Sequence, residues 1–264
     1  MLQRTFLHVP GIGRRRERTL WERGYTDWEL FLRNHPPGPW KDLIASRLDE
    51  RTVIRDLPAR ETWRMLSSFR GRTAYLDIET EGLVVGRDGI TCIGLSDGRD
   101  VEVFVRGENL PAFPPALRRF DLLVTYNGSC FDLPVLKQAY PSLDWNRLLH
   151  VDLRYAARRV GLTGGLKAIE RSLGLARSEE IEGADGYLAV LLWKAHREGR
   201  SGARDTLVHY CLSDTVHLKP LAAHVFNHLT RELPVAVPPM GDVEVPPIPY
   251  RADGSLVQEL LGSG

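Results

Sequence analysis

Asp77 and Glu79 stand two residues apart at the end of a short β-rich run, Thr73-Ala74-Tyr75-Leu76-Asp77-Ile78. On an extended strand such a pair points to one face, so both carboxylates can converge on a single site. Two acids beside an apolar strand are costly unless something neutralises them, and a divalent cation is the usual remedy. A solvated strand end is the plainer reading of the pair alone. A second feature, Asn127-Gly128-Ser129-Cys130-Phe131-Asp132, follows another apolar run and places Asp132 to open a helix; alone it reads as a helix cap. A third, His209-Tyr210-Cys211-Leu212-Ser213-Asp214, sets Tyr210 and Asp214 four residues apart, hence on one helical face; alone it reads as a plain hydrogen bond. Four hard carboxylates with no cysteine or histidine cluster suit Mg²⁺ or Mn²⁺. Two such ions can activate a water, stabilise a pentacovalent phosphate and assist the departing oxygen.

The elements that must position these acids can be read from periodicity and turn residues. Strands are expected at Thr73 to Ile78, Ile90 to Leu95, Val101 to Val105 and Leu122 to Tyr126. Asp97-Gly98 is a hairpin signal, so the first three form an antiparallel meander. Helices are expected at Phe131 to Tyr140, Leu166 to Leu173, Tyr187 to Arg197 and Ala203 to about Leu229, with a short helical turn at Leu117 to Phe120. Pro220 should kink or split the long helix. Strands first, helices later and a strand–helix alternation between them suggest a three-layer α/β domain.

Together the three features resemble the motifs of the DEDD exonuclease superfamily, D-x-E, then N-x3-F-D, then Y-x3-D or H-x4-D, in this order. Val151-Asp152-Leu153-Arg154 and Gly164-Gly165-Leu166-Lys167-Ala168-Ile169-Glu170-Arg171-Ser172-Leu173-Gly174-Leu175 narrow the resemblance to the YprB-type branch, close to the proofreading domains of family B polymerases. The similarity covers about residues 73–230. It implies a ribonuclease H-like fold, a mixed five-stranded sheet flanked by helices. It also implies two divalent cations, Mg²⁺ or Mn²⁺, with Asp77 bridging both and Glu79, Asp132 and Asp214 completing their shells. Polymerase motifs are absent, so the resemblance implies a stand-alone nuclease.

The fifth residue is open between two neighbours. Tyr210 fits Y-x3-D, whereas His209 fits H-x4-D. A histidine can serve as general base near neutral pH, and a tyrosine is better suited to orienting water through its hydroxyl. Adjacent helical residues point about 100° apart, so the two do not share one spot; the wider branch favours Tyr210. Asn127 and Phe131 are candidates for shaping a substrate site, by hydrogen bonding and by packing or stacking on a terminal base. Lys167 is a candidate for meeting a phosphate. Core filling by Phe131 and a solvated Lys167 are the competing readings.

The leader differs from this body. Residues 1–70 carry 14 Lys and Arg against nine Asp and Glu, while the remainder carries 21 against 25. A basic leader is a weak pointer to a polyanionic partner. Val9-Pro10-Gly11-Ile12-Gly13 resembles the hairpin of helix–hairpin–helix modules, whose glycines expose backbone amides to a phosphate. Gly11, Gly13 and Arg14 are therefore substrate-binding candidates, although only nine residues precede Pro10. Trp21 and Trp28 are expected in the core. Asp27, or Thr26, is expected to cap a helix from Trp28.

The whole chain has 264 residues, 43% of them hydrophobic and 26% charged, with three cysteines in no metal-ligand spacing. That composition suits a globular protein, and a cytoplasmic location with no membrane partner is the default expectation. Three regions are expected: a helical, helix–hairpin–helix-like region at 1–70, a nuclease domain at 71–232, and a Pro-rich tail at 233–264. The six prolines from Pro234 to Pro249 make the tail extended or poorly ordered and a docking segment for a protein partner. The function expected is 3′–5′ exonuclease action on the 3′ end of single-stranded DNA or RNA, DNA slightly favoured, releasing nucleoside 5′-monophosphates. Alternatives are a structure-specific endonuclease, or a nucleic-acid-binding module or repair scaffold with a vestigial site.

Overall fold

β1 (Thr73–Thr80) is buried along its length except at Asp77, which is partly exposed. Its even residues Ala74, Leu76 and Ile78 join an apolar layer, while Asp77 and Glu79 point to the other face. In the computed structural model, which describes residues 1–69, 71–82, 89–241 and 243–262, the chain divides into two compact units. One comprises Met1–Arg70 and Ala223–Asp242, the other Gly71–Ala222 and Val243–Gly264.

The second unit is built on a mixed five-stranded sheet in the order β3-β2-β1-β4-β5. β1 pairs antiparallel with β2 (Ile90–Ser96), which pairs antiparallel with β3 (Val101–Val105). On its other side β1 pairs parallel with β4 (Leu122–Thr125), and β4 parallel with β5 (Leu149–Asp152). The Asp97 carboxylate fixes the β2–β3 turn by accepting the N–H groups of Arg99 at 2.8 Å and Asp100 at 2.9 Å. The expected five-stranded sheet flanked by helices is therefore present.

The first unit contains α1 (Arg14–Glu22), α2 (Trp28–Asn34), α3 (Pro39–Ala45) and α4 (Glu50–Asp56). Asp27 caps α2, accepting the Leu30 N–H at 2.8 Å. Trp21 and Trp28 are core residues whose indole N–H groups donate to the carbonyls of Arg4 and Thr5. Arg64 is buried between Glu17 and Glu61, each reached at 2.9 Å.

In the second unit one face of the sheet is covered by α5 (Phe113–Leu117) and α6 (Asp132–Ala139), through Phe113, Leu117 and Leu136. The unit also holds α7 (Leu153–Arg158) and α8 (Leu166–Leu173). α9 (Tyr187–Arg197), α10 (Ala203–Arg231) and α11 (Gly254–Gly262) contribute Leu188, Leu192, Leu207, Leu256 and Val257 to a second core together with Cys92 and Val105 of the sheet. Residues 223–231 of α10 belong to the first unit.

Four elements differ from expectation. α10 runs as one helix through Pro220. The missing N–H and ring clash cost about 3 kcal/mol, offset by a buried face including Val216, Leu218, Leu221 and Ala222. β5 was not read as a strand, being only four residues with His150 and Asp152 among them. Beyond the prolines, α11 forms because Leu256 and Val257 have an apolar core to enter. The turn expected at Leu117 to Phe120 instead lies earlier, over Phe113–Leu117, where Pro114 and Pro115 suit a first helical turn.

Candidate active site

The carboxylates meet because α10 lies close against β2. In the sheet register Asp77 stands opposite Gly94, and Glu79 opposite Cys92. A Cβ built on Gly94 would fall 2.2 Å from Thr215 Oγ1 and 3.2 Å from Cys211 Sγ. The bare backbone at that point lets the helix carrying Tyr210, Cys211 and Asp214 settle beside the acids of β1. The result is a cavity of about 300 Å³ lined by Asp77, Glu79, Lys167, Tyr210 and Asp214 among others. Oxygen atoms of Asp77 and Glu79 and the Cys211 sulfur lie within 4.8 Å of one another.

Asp132 is buried as the first residue of α6. Burial raises its carboxyl to about 7, against the pull of backbone N–H groups of Ile78 and of Asp132 itself. Its charge is felt at Asp77, whose carboxyl is pushed well above the ordinary range, first by burial and then by Asp214, Glu79 and Asp132. Glu79 is raised by burial and by Asp214, with Lys167 acting in the opposite direction. Only 8% of Glu79 is exposed, and among the described residues no donor makes a hydrogen bond to its carboxylate.

A divalent cation fits this donor set. Asp214, Glu79 and Asp132 all raise the proton affinity of Asp77, and a buried carboxylate to which no described residue donates is the kind of group a cation satisfies. Oxygen donors favour Mg²⁺ or Mn²⁺. The Cys211 thiol is the one softer atom of the described cluster.

The two candidates for the fifth position are placed differently. Tyr210 lines the cavity, its hydroxyl donating to the Asp185 carbonyl at 2.7 Å and accepting from the Lys167 ammonium. Burial, then the charges of Asp214 and Glu79, push its phenol far up, so it stays protonated. His209 has both ring nitrogens engaged, Nδ1 with the Tyr250 carbonyl at 2.8 Å and Nε2 with Ser178 Oγ at 3.0 Å. A carbonyl only accepts, so Nδ1 carries the proton and Nε2 accepts from the serine.

The proposed substrate residues scatter. Lys167 is not a solvated surface lysine: it lines the cavity, donates to the Ala184 carbonyl and lies over the Tyr210 ring at 4.3 Å. Asn127 adopts a positive φ of 66° and spends its side-chain oxygen on Arg154. Phe131 is partly buried and packs on the α5–α6 core. In the first unit Gly11 turns with φ +81°, Arg16 closes that turn onto the Gly11 carbonyl at 2.7 Å, and Gly13 precedes α1 without a side-chain cap. Arg14 is held by buried Glu61, with Nε donating at 2.8 Å. A cavity of about 570 Å³ lies along this hairpin.

Two residues were not singled out from sequence. Asp152 fixes the loop after β4, accepting the N–H groups of Asn127 at 2.8 Å and Ser129 at 3.0 Å. Arg177, 7% exposed, donates to Asp214 and, at 2.6 Å, to Glu170. Asp152 sits in the Val-Asp-Leu-Arg stretch and had that signal; Arg177 lies in a loop with no motif around it.

A family profile described as the RNase_H superfamily matches residues 74–226. Among solved structures, the family B DNA polymerase from the hyperthermophilic archaeon Pyrobaculum calidifontis is similar at 20% identity and a TM-score of 0.47. That match covers 61% of this chain and 25% of the polymerase chain. No curated protein matches. Among the described residues no helix is long and apolar enough to cross a membrane.

Proposed function

The chain belongs to the RNase_H superfamily, and from that premise we propose that it is a metal-dependent 3′–5′ exonuclease of the DEDD type. It acts on single-stranded ends, DNA somewhat in preference to RNA, and releases nucleoside 5′-monophosphates. The observation that carries this reading is the convergence of Asp77, Glu79, Asp214 and Tyr210 on one cavity, with Glu79 buried and no described residue donating to its carboxylate. The polarity rests on the order and spacing of the acid motifs and on their resemblance to the DEDD exonucleases.

In this reading Asp77, Glu79, Asp132 and Asp214 hold two divalent ions, Mg²⁺ or Mn²⁺. When bound, these ions supply an activated water and neutralise charge at the phosphate. The chain's own groups then have distinct tasks. Tyr210, protonated and fixed on the Asp185 carbonyl, presents its oxygen as an acceptor and holds Lys167 in place. It orients and does not take a proton. Lys167, whose ammonium burial makes easier to deprotonate, offers a donor at the rim where a phosphate oxygen would arrive. The 300 Å³ cavity has room for about one nucleotide unit beside the acids, which suits a terminal residue separated from its partner strand.

The test is end dependence. Linear single-stranded DNA should be degraded in Mn²⁺, with loss of activity in EDTA and in Asp77→Ala, while a covalently closed single-stranded circle should persist. Cutting of the circle at a comparable rate would make the protein an endonuclease instead.

A further inference from the structure

Arg177 is a cation placed where the proposed reading puts a metal ligand. Its Nη2 donates to Oδ1 of Asp214, its Nε donates to Glu170 at 2.6 Å, and only 7% of the side chain is exposed. Glu170 is itself 1% exposed and takes a second bond from His217 Nδ1 at 3.0 Å. The arginine thus has a firm anchor on one side and the site carboxylate on the other. The third nitrogen is different. Nη1 is buried and finds no hydrogen-bond partner among the described residues, and leaving a charged donor unmet costs more than leaving a neutral one. The present pose therefore leaves part of the guanidinium's hydrogen-bonding capacity unused. Beside it lies a second cavity of about 370 Å³, lined by the acids Glu170, Glu179 and Glu182 and by the cations Arg177, Arg171 and Lys167 among others. That space has volume and acidic partners for the guanidinium once it leaves Asp214.

We infer that Arg177 is a resident counter-cation for Asp214, which a divalent ion must displace to load the site. The inference rests on the reading of Asp214 as a metal ligand. Without an ion, the acids around Asp77 repel one another, and Arg177 offsets that repulsion by occupying Asp214. Loading an ion there exchanges one cation for another: Arg177 gives up Asp214, keeps Glu170 and turns toward Glu179 and Glu182. The protein is thereby stabilised without metal, at the cost of weaker metal binding. If the pair is closed nine times in ten, the apparent affinity for the ion is lowered about tenfold.

The sign of one measurement separates this role from simple positioning. Mn²⁺ affinity, followed by the signal of the free ion in electron paramagnetic resonance, should be about tenfold tighter in Arg177→Gln than in the native protein. Arg177→Lys, which keeps the charge but loses the forked geometry, should fall between them and serves if the glutamine variant does not fold. In EDTA, Arg177→Gln should melt below the native protein, and this loss should shrink in an Asp214→Asn background, where there is no charge to offset. Unchanged or weaker Mn²⁺ binding in Arg177→Gln, with Asp214→Asn still weakening it, overturns the counter-cation and leaves the metal site standing. If neither Asp77→Asn nor Asp214→Asn alters Mn²⁺ binding, the metal reading of the site is what fails.

Discussion

Tyr210 is a poor base and a good fixture. Its phenol is held protonated by burial and by the charges of Asp214 and Glu79, and its proton is committed to the Asp185 carbonyl. Tyr210→Phe should lower turnover by roughly 10²–10³-fold, the range for loss of a preorganised polar group at a reacting centre. The native rate should then show no tyrosine ionisation up to pH 10. His209→Gln should cost far less, because both nitrogens of His209 are already spent on Ser178 and Tyr250. Steady-state rates of the two variants decide this, and the reverse order would return His209 to the site. The acids were legible in the sequence because a two-residue spacing on a strand and a four-residue spacing on a helix carry their own geometry. Arg177 was not: it is one of 30 arginines, and its partners Glu170 and Asp214 are brought to it only by folding.

At the scale of elements the controlling contacts are small. Gly94 is where α10 meets the sheet, and a methyl group there would press on Thr215 and Cys211. Gly94→Ala should destabilise the protein by about 1–3 kcal/mol, the usual cost of overpacking. It should lower activity as well, since Tyr210 and Asp214 ride on the same helix. Gly128 has the same relation to Thr125, whose Oγ1 would lie 2.1 Å from an added Cβ. β5 brings a pH effect of its own. His150 is half-buried beside Thr125 Oγ1 at 2.9 Å, and loss of solvent around it lowers its imidazole from 6.5 to about 4. A histidine whose folded value lies below its unfolded one binds fewer protons when folded. Its contribution is present above pH 6.5 and is lost as pH falls toward 4. The urea midpoint of His150→Gln should therefore gain on that of the native protein as pH falls from 6.5 toward 4, whatever the buried acids of the site add to both. Strands and helices were read well where apolar periodicity was long, as in α8, α9 and β3. Four-residue β5 lacked that length, and a split at Pro220 was overridden by the buried face of α10.

For the whole molecule, composition was informative only in outline. The basic leader folds as part of a unit with its own buried charges, and much of its arginine is used internally. Arg64 lies 2% exposed between Glu17 and Glu61 and also donates to Thr5 at 3.0 Å. Arg64→Ala should cost about 3–5 kcal/mol, chiefly by leaving buried Glu17 without its cation while Glu61 keeps Arg14, read as a lower melting temperature. The acidic site of the other unit should respond to metal: an ion that binds only the folded state raises stability by mass action. Mg²⁺ or Mn²⁺ should raise the melting temperature, EDTA should reverse the rise, and Asp77→Ala should abolish it. The most direct measurement of the proposed activity is a time course on 5′-labelled single-stranded DNA and RNA of one sequence, in Mn²⁺ and in EDTA. The expected result is a metal-dependent ladder that shortens from the 3′ end, faster on DNA, and is absent in Asp77→Ala. Intact substrate of both kinds in Mn²⁺, with binding retained, would contradict a functional nuclease.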